Sequence, residues 1–270
     1  MQEGWTLKQL GQYLGCSTKS VQRRIHQALQ RPIPVLSVPS SGVLVLDATW
    51  NHRKWCLLLY RDTGGLILGH SFDLGERFAG YLGDLNCLKS AGYQPKAIVS
   101  DGHKALLKAV NQVFPGVGQQ RCLLHLQRQG LLWLTQNPKT LAGQSLRYLV
   151  IQLLQVQSFE EAQEWNLLLQ SWFELFQEVL QEKTLAARPT HGKRNWWYTH
   201  KSLRRAGRLL RNAQPNLWLW LVQPDVPRTT NLLEGGINAP IKRLLHRHSG
   251  LRPDHQIRAI AWWIFFRNNP

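Results

Sequence analysis

The chain has 270 residues, enough to bury a substantial core in one large domain or two smaller ones, and its 33 Lys and Arg against 16 Asp and Glu leave a formal charge of +17. Such an excess repels itself in a compact molecule unless a polyanion offsets it, so nucleic acid is the expected partner. No apolar run approaches the roughly 18 residues of a spanning helix and no signal peptide opens the chain, which argues against a membrane and for a soluble, intracellular protein.

The four cysteines, Cys16, Cys56, Cys87 and Cys122, are scattered without a CxxC pair. They support neither a disulfide framework nor a standard zinc knuckle, and reduced thiols fit best. The 12 Trp have two uses, core packing and stacking on bases, and packing is expected for most of them.

In chain order, residues 1–31 read as a helix-turn-helix. Leu7, Leu10, Leu14, Val21 and Ile25 keep helical spacing, Thr6 caps the first helix, Gly15 ends it, and Ser17 or Thr18 caps the second. Lys19, Gln22, Arg23 and Arg24 would then face outward toward phosphates or base edges; the plainer alternative is a helical hairpin with a solvated basic face. Residues 32–42, with Pro32, Pro34, Pro39 and Gly42, read as a linker.

Residues 43–127 then predict an α/β unit. Three strands, Val43 to Trp50, Trp55 to Arg61 and Leu66 to Phe72, are joined by short turns and so form an antiparallel meander. Glu76 to Ala91 fits a helix, Ala97 to Ser100 a fourth strand, His103 to Val113 another helix, and Gln119 to Leu126 a fifth strand. Residues 128–223 change texture to long Leu-, Gln- and Glu-rich helical patterns, an all-α block whose acidic stretch from Glu160 to Glu182 reads as a solvated face. Within it, Arg188 to Arg211 is basic and rich in Trp, and Lys193, Arg194, Arg204, Arg205 and Arg208 are candidates for tracking a phosphate backbone. Residues 224–270 predict two closing helices.

Chemistry concentrates on three acids. Asp47 ends the apolar run Val43-Leu44-Val45-Leu46, and Asp101 ends Ala97-Ile98-Val99-Ser100 just before Gly102. Two carboxylates delivered by strand ends suggest a divalent metal site, although a lone strand-end aspartate more often caps a turn. The third is Glu234: on a helix starting near Thr229, Asn231, Glu234, Asn238 and Lys242 fall at steps of three and four, so a regular helix would put all four on one face, with Asn231, Asn238 and Lys242 beside DNA. An oxygen-only ligand set suits Mg²⁺ or Mn²⁺, and two such ions can clamp the attacking and leaving oxygens of a phosphodiester.

Asp47 in LDATW, Asp101 in SDGHKAL, the RCLLH run from Arg121 to His125, and TTNLLEGGINAPIK followed by RHSGL from Arg247 together resemble the Mutator-like transposases, including bacterial insertion-sequence members, from Val43 to the C-terminus. The resemblance implies a ribonuclease H-like core with a mixed five-stranded sheet, interrupted by an all-α insertion between the second aspartate and the glutamate. It implies Asp47, Asp101 and Glu234 as a DDE triad holding two Mg²⁺ or Mn²⁺ ions, cleavage at the transposon's terminal inverted repeats, strand transfer into target DNA, and a homodimer or higher oligomer on that DNA. Arg247 joins the expected DNA contacts. Cys122 and His125 match the family's Cys-x-x-His signature, expected on the fifth strand in a structural or DNA-positioning role. His103 either meets the scissile strand or closes the start of its helix. A prokaryotic source would place the protein in the cytoplasm with the nucleoid. Two other functions stay open: a domesticated, sequence-specific DNA-binding regulator, and a ribonuclease H-like nuclease without strand transfer.

Overall fold

A computed structural model describes residues 5–34, 37–51, 54–188, 191–192 and 194–269. Its centre is a five-stranded sheet in the order β3-β2-β1-β4-β5. The strands are β1 (Ser41–Asn51), β2 (Trp55–Asp62), β3 (Ile67–Asp73), β4 (Gln94–Ser100) and β5 (Gly118–Arg121). The first three form an antiparallel meander, whereas β4 runs parallel to β1 and β5 parallel to β4. This mixed α/β sheet is consistent with a ribonuclease H-like core.

Both faces of β1 are covered, which is why its sequence is continuously apolar. Leu44 and Leu46 pack with Leu58, Tyr60 and Ile98 against α3 (Phe78–Ser90) and α4 (Lys104–Val113), through Tyr81, Leu85, Leu106 and Val110. Val43 and Val45 point the other way, with Leu57, Leu59, Ala97 and Val99. That face is closed by Leu233, Ile237, Ile241, Ile260 and Ile264. These belong to α11 (Asn231–Leu233), a π turn (Glu234–Asn238), α12 (Ala239–Arg247) and α13 (Pro253–Asn268). The side chain of Asn268 finishes the β3 edge, exchanging two hydrogen bonds with the Ile67 backbone at 3.0 and 2.7 Å.

A separate core belongs to the helical block: α5 (Leu123–Leu134), α6 (Leu141–Gln152), α7 (Phe159–Leu175), α8 (Gln177–Gln181), α9 (Lys201–Ala213) and α10 (Leu219–Val222). Leu126, Leu146, Trp165, Leu169, Trp172 and Leu210 fill its centre. The block is not wholly helical. Lys183–Leu185 (β6) pairs antiparallel with Trp196–Tyr198 (β7), so the block expected to be all helical is interrupted by a hairpin that carries the start of the basic segment.

At the N-terminus α1 (Leu7–Tyr13) and α2 (Thr18–Leu29) are capped by Thr6 and Ser17 as expected, and Gly15 between them takes φ +62°. The pair leans on α13: Arg258 donates to the Leu29 carbonyl at 3.0 Å and His26 packs on His255 with ring centroids 4.4 Å apart. Among the described residues no helix is long and apolar enough to cross a membrane.

Candidate active site

Strand alternation decides where the two aspartates go. Val43 and Val45 face the C-terminal helices, as do Ala97 and Val99 on the adjacent parallel strand, and Val45 is paired with Val99. Two residues further along come Asp47, still within β1, and Asp101, just past the end of β4, so the alternation of two adjacent parallel strands directs both toward the same side of the sheet end. Asp101 then leaves the sheet: its carboxylate accepts from the His103 amide at 2.9 Å, and Gly102 turns back with φ +71°. No other residue fits there, since a Cβ would lie 1.4 Å from Nη1 of Arg121, which donates to the Gly102 carbonyl.

Asp47 is 8% exposed. Burial pushes its carboxyl up to about 7, opposed by His125 and reinforced by the negative charges of Asp101 and Glu234. Its Oδ2 accepts from Nδ2 of Asn238 at 2.9 Å. Asn238 is 5% exposed, and its Oδ1 is buried with no partner among the described residues. The amide expected at a DNA surface is therefore packed inside against a carboxylate.

The cause is the π turn. A regular helix would carry Glu234 and Asn238 on one line, but the wider turn from Glu234 to Asn238 adds a residue and splits them. Asn238 goes to Asp47, and Glu234 goes to α5. There Arg128 Nη1 donates to the Glu234 carboxylate at 2.9 and 3.2 Å, and His125 Nε2 lies 3.4 Å from it. Gly235 and Gly236 soften the backbone at this point; a Cβ on Gly236 would sit 3.2 Å from Nη1 of Arg61, whose guanidinium holds the Leu232 carbonyl.

Cys122 and His125 lie at the start of α5, not on the fifth strand, which ends at Arg121. The apolar run after Cys122 suits strand or helix, and the helix wins because Leu123 and Leu126 reach the helical-block core. The Cys122 sulfur accepts from the amide and the hydroxyl of Thr230, both at 3.3 Å, and the same hydroxyl lies 3.3 Å from Nδ1 of His125. The Cys122 hydrogen bond, outweighing burial, raises the His125 imidazole to about 9, with help from the negative charges of Cys122, Asp47 and Glu234. Burial raises the Cys122 thiol, but its hydrogen bonds with His125 and Thr230 bring it below the usual range. Cys122, His125 and Thr230 thus form one hydrogen-bonded cluster beneath Glu234.

The donor set fits a hard divalent cation: oxygen atoms, with the buried Asp47 carboxyl beside the negative charges of Asp101 and Glu234. It is not a finished coordination shell, since among the described residues no group of three or more His, Cys, Asp or Glu is disposed to hold a metal ion. Glu234 is engaged by Arg128 instead.

The remaining predicted residues lie further out. Lys19, Gln22, Arg23 and Arg24 are exposed on α2, and Asn231, Lys242 and Arg247 are exposed around α11 and α12. Arg194, Arg205 and Arg208 are exposed and Arg204 half-buried in the hairpin and α9; Lys193 lies outside the described residues. His103 is exposed at the start of α4, with Nδ1 3.8 Å from Glu76. Sequence reasoning missed Arg128 and Thr230, whose roles depend on partners about a hundred positions away, and Glu76, which accepts from Trp50 and Tyr81 at 3.1 and 2.9 Å.

Residues 61–190 match the family model described as "Transposase, Mutator family". That segment contains Asp101, Cys122, His125 and Arg128, whereas Asp47 and Glu234 fall on either side of it. No curated protein matches the chain.

Proposed function

Because residues 61–190 of this chain are a Mutator-family transposase segment, which ties it to DNA and to transposition, we propose that it is a DDE transposase cutting DNA at transposon ends and joining them to target DNA. The observation that supports this reading is that Asp47 and Asp101 each follow by two residues the partners Val45 and Val99 of the parallel β1–β4 ladder, and that the negative charges of Asp101 and Glu234 both act on Asp47. Asp47, Asp101 and Glu234 are the metal-binding and catalytic carboxylates. Divalent cations there, two Mg²⁺ or Mn²⁺ in the family's scheme, would supply Lewis-acid activation of water and then of the freed 3′-hydroxyl.

The chain's own residues do the rest. Asn238 orients the Asp47 carboxylate, and Arg128 with His125 holds Glu234 until the site is loaded. Lys19, Gln22, Arg23 and Arg24 on α2 act as the sequence-reading face of a helix-turn-helix. Asn231, Lys242 and Arg247 flank the carboxylates, and Arg194, Arg204, Arg205 and Arg208, with Lys193 in the same segment, add phosphate contacts. Two paired transposon ends call for two active sites, hence at least a dimer on DNA.

The test is Mg²⁺-dependent nicking and joining of DNA carrying the element's inverted repeats. Wild type nicks and joins; Asp47→Ala and Glu234→Ala bind the same DNA and do neither. Equal nicking by wild type and Asp47→Ala refutes the carboxylate mechanism. Nicking without any joined product reduces the protein to a nuclease, and specific binding with neither reaction makes it a DNA-binding regulator.

A further inference from the structure

The helix α9 is two-faced. Leu203, Ala206, Gly207, Leu210 and Ala213 are buried, while Lys201, Arg205, Arg208 and Arg211 stand exposed and Arg204 half-buried. Small residues let it lie close on α7: a Cβ at Gly207 would come 3.1 Å from Trp172 and 3.3 Å from Phe173. Beside this contact a cavity of about 620 Å³ opens between α7, α8 and α9, with Arg204, Arg208 and Arg211 on one wall and Gln170, Phe173 and Glu174 on the other. That is ample for a nucleotide, since small-molecule sites run from about 300 to 1,000 Å³.

The arginines are arranged, not merely present. The Arg211 guanidinium carbon lies 3.5 Å from the Phe173 ring centroid, and that of Arg204 lies 3.4 Å from the Tyr198 centroid. Arg204 also donates to the Leu180 carbonyl, whereas a ring-backed guanidinium such as that of Arg211 keeps its outer face available for a flat partner. No ion pair within 4.0 Å joins Arg208 or Arg211 to a carboxylate among the described residues. Glu174, the acid in the lining, is taken up by Gln170 at 3.0 Å. The same alternation of rings and cations continues past the helix start, where Trp197 is 39% exposed with the Lys201 ammonium 5.4 Å from its ring.

We propose that this cleft binds an unpaired nucleotide unit of a DNA strand, its phosphate on Arg208 and its base against the Arg211–Phe173 pair. A duplex offers phosphates but hides base faces in its stack, so ring-backed arginines in a concave site match a base that is free. A free nucleotide shares this chemistry. The inference rests on the reading that the chain handles DNA and not on the three carboxylates; α9 also lies beyond the family-matched residues 61–190.

The test is fluorescence anisotropy of the full chain, in EDTA, with a labelled oligothymidylate and with a duplex of equal length. Replacing Arg211 by Ala lowers single-strand affinity about tenfold or more and duplex affinity less than about threefold. Arg211→Lys keeps the charge but not the plane, and reproduces most of the single-strand loss. Unchanged single-strand binding overturns the proposal, and so does equal loss for strand and duplex. Displacement of the strand by thymidine monophosphate assigns the cleft to free nucleotides; strand binding that resists it assigns the cleft to DNA. With metal withheld, the outcome is independent of whether Asp47→Ala abolishes nicking.

Discussion

Asn238→Ala separates orientation of the active site from stability of the fold. Its amide donates to Asp47 at 2.9 Å while its own Oδ1 is buried without a partner. The substitution removes a hydrogen bond to a charged group, worth about 1.5–3 kcal/mol, and also an unsatisfied buried oxygen, whose burial costs about 1–3 kcal/mol. The two effects nearly offset, so stability falls by only about 1 kcal/mol, read as a small shift of the urea midpoint at constant slope. Activity has no such offset: Asp47 loses the group that fixes its rotation, and Mg²⁺-dependent nicking drops about 10- to 100-fold, as for other groups that orient a metal ligand. Nicking within twofold of wild type refutes the orienting role. A stability loss above about 3 kcal/mol refutes it too, by making Asn238 a structural peg.

Three further outcomes follow from the same geometry. Thr230→Val keeps the side-chain volume but leaves Cys122 and His125 without the shared hydroxyl; it costs about 1–3 kcal/mol by urea unfolding, Thr230→Ser restores most of it, and an unchanged midpoint contradicts the link. Gly102→Ala must hold φ +71° and displace the buried Arg121 side chain; a loss of at least about 2 kcal/mol is expected, and a loss below about 0.5 kcal/mol would show that the loop simply rearranges. Burial lowers His70 from 6.5 to about 4. The unfolded chain therefore takes up a proton near pH 6.5 that the folded chain refuses until about pH 4, so stability is full above pH 6.5 and declines below it. The expected loss between pH 7 and 4.5 is about 2–3 kcal/mol, and His70→Gln removes that part of the slope; an identical slope in the variant contradicts the assignment.

The two aspartates were legible because a doubly covered strand announces itself: an apolar run stopped by one carboxylate has few other readings, and strand periodicity of two fixes the face. Glu234 and Asn238 were legible as residues but not as neighbours. A 3.6-residue period puts them on one face, and only the glycine pair Gly235-Gly236 hinted that the period is broken there. Cys122 and His125 read as strand residues because the short apolar run Cys122-Leu123-Leu124 carries no periodicity of its own. The hairpin β6–β7 was hidden by the helical texture on both sides, and its aromatic strand Trp196–Tyr198 read as part of a basic run.

What distance in sequence hides, the ends of the helical block explain. Between Asp101 and Glu234 the chain leaves the sheet and returns, and a detour of that length leaves Glu234 unplaced unless both ends are tied. The tie is α5. Its first residue, Leu123, donates to the Arg228 carbonyl at 3.0 Å, Cys122 beside it takes both donors of Thr230, and Arg128 one turn on takes Glu234. The entry helix of the detour thus also holds its exit, so residues between them can vary in fold or length without moving Glu234. Asp47 and Asp101 are placed by the sheet, whereas Glu234 is placed by side-chain bonds to a helix. These are the weaker constraint, since the Arg128 side chain of the Arg128–Glu234 ion pair is largely exposed and an exposed pair contributes little.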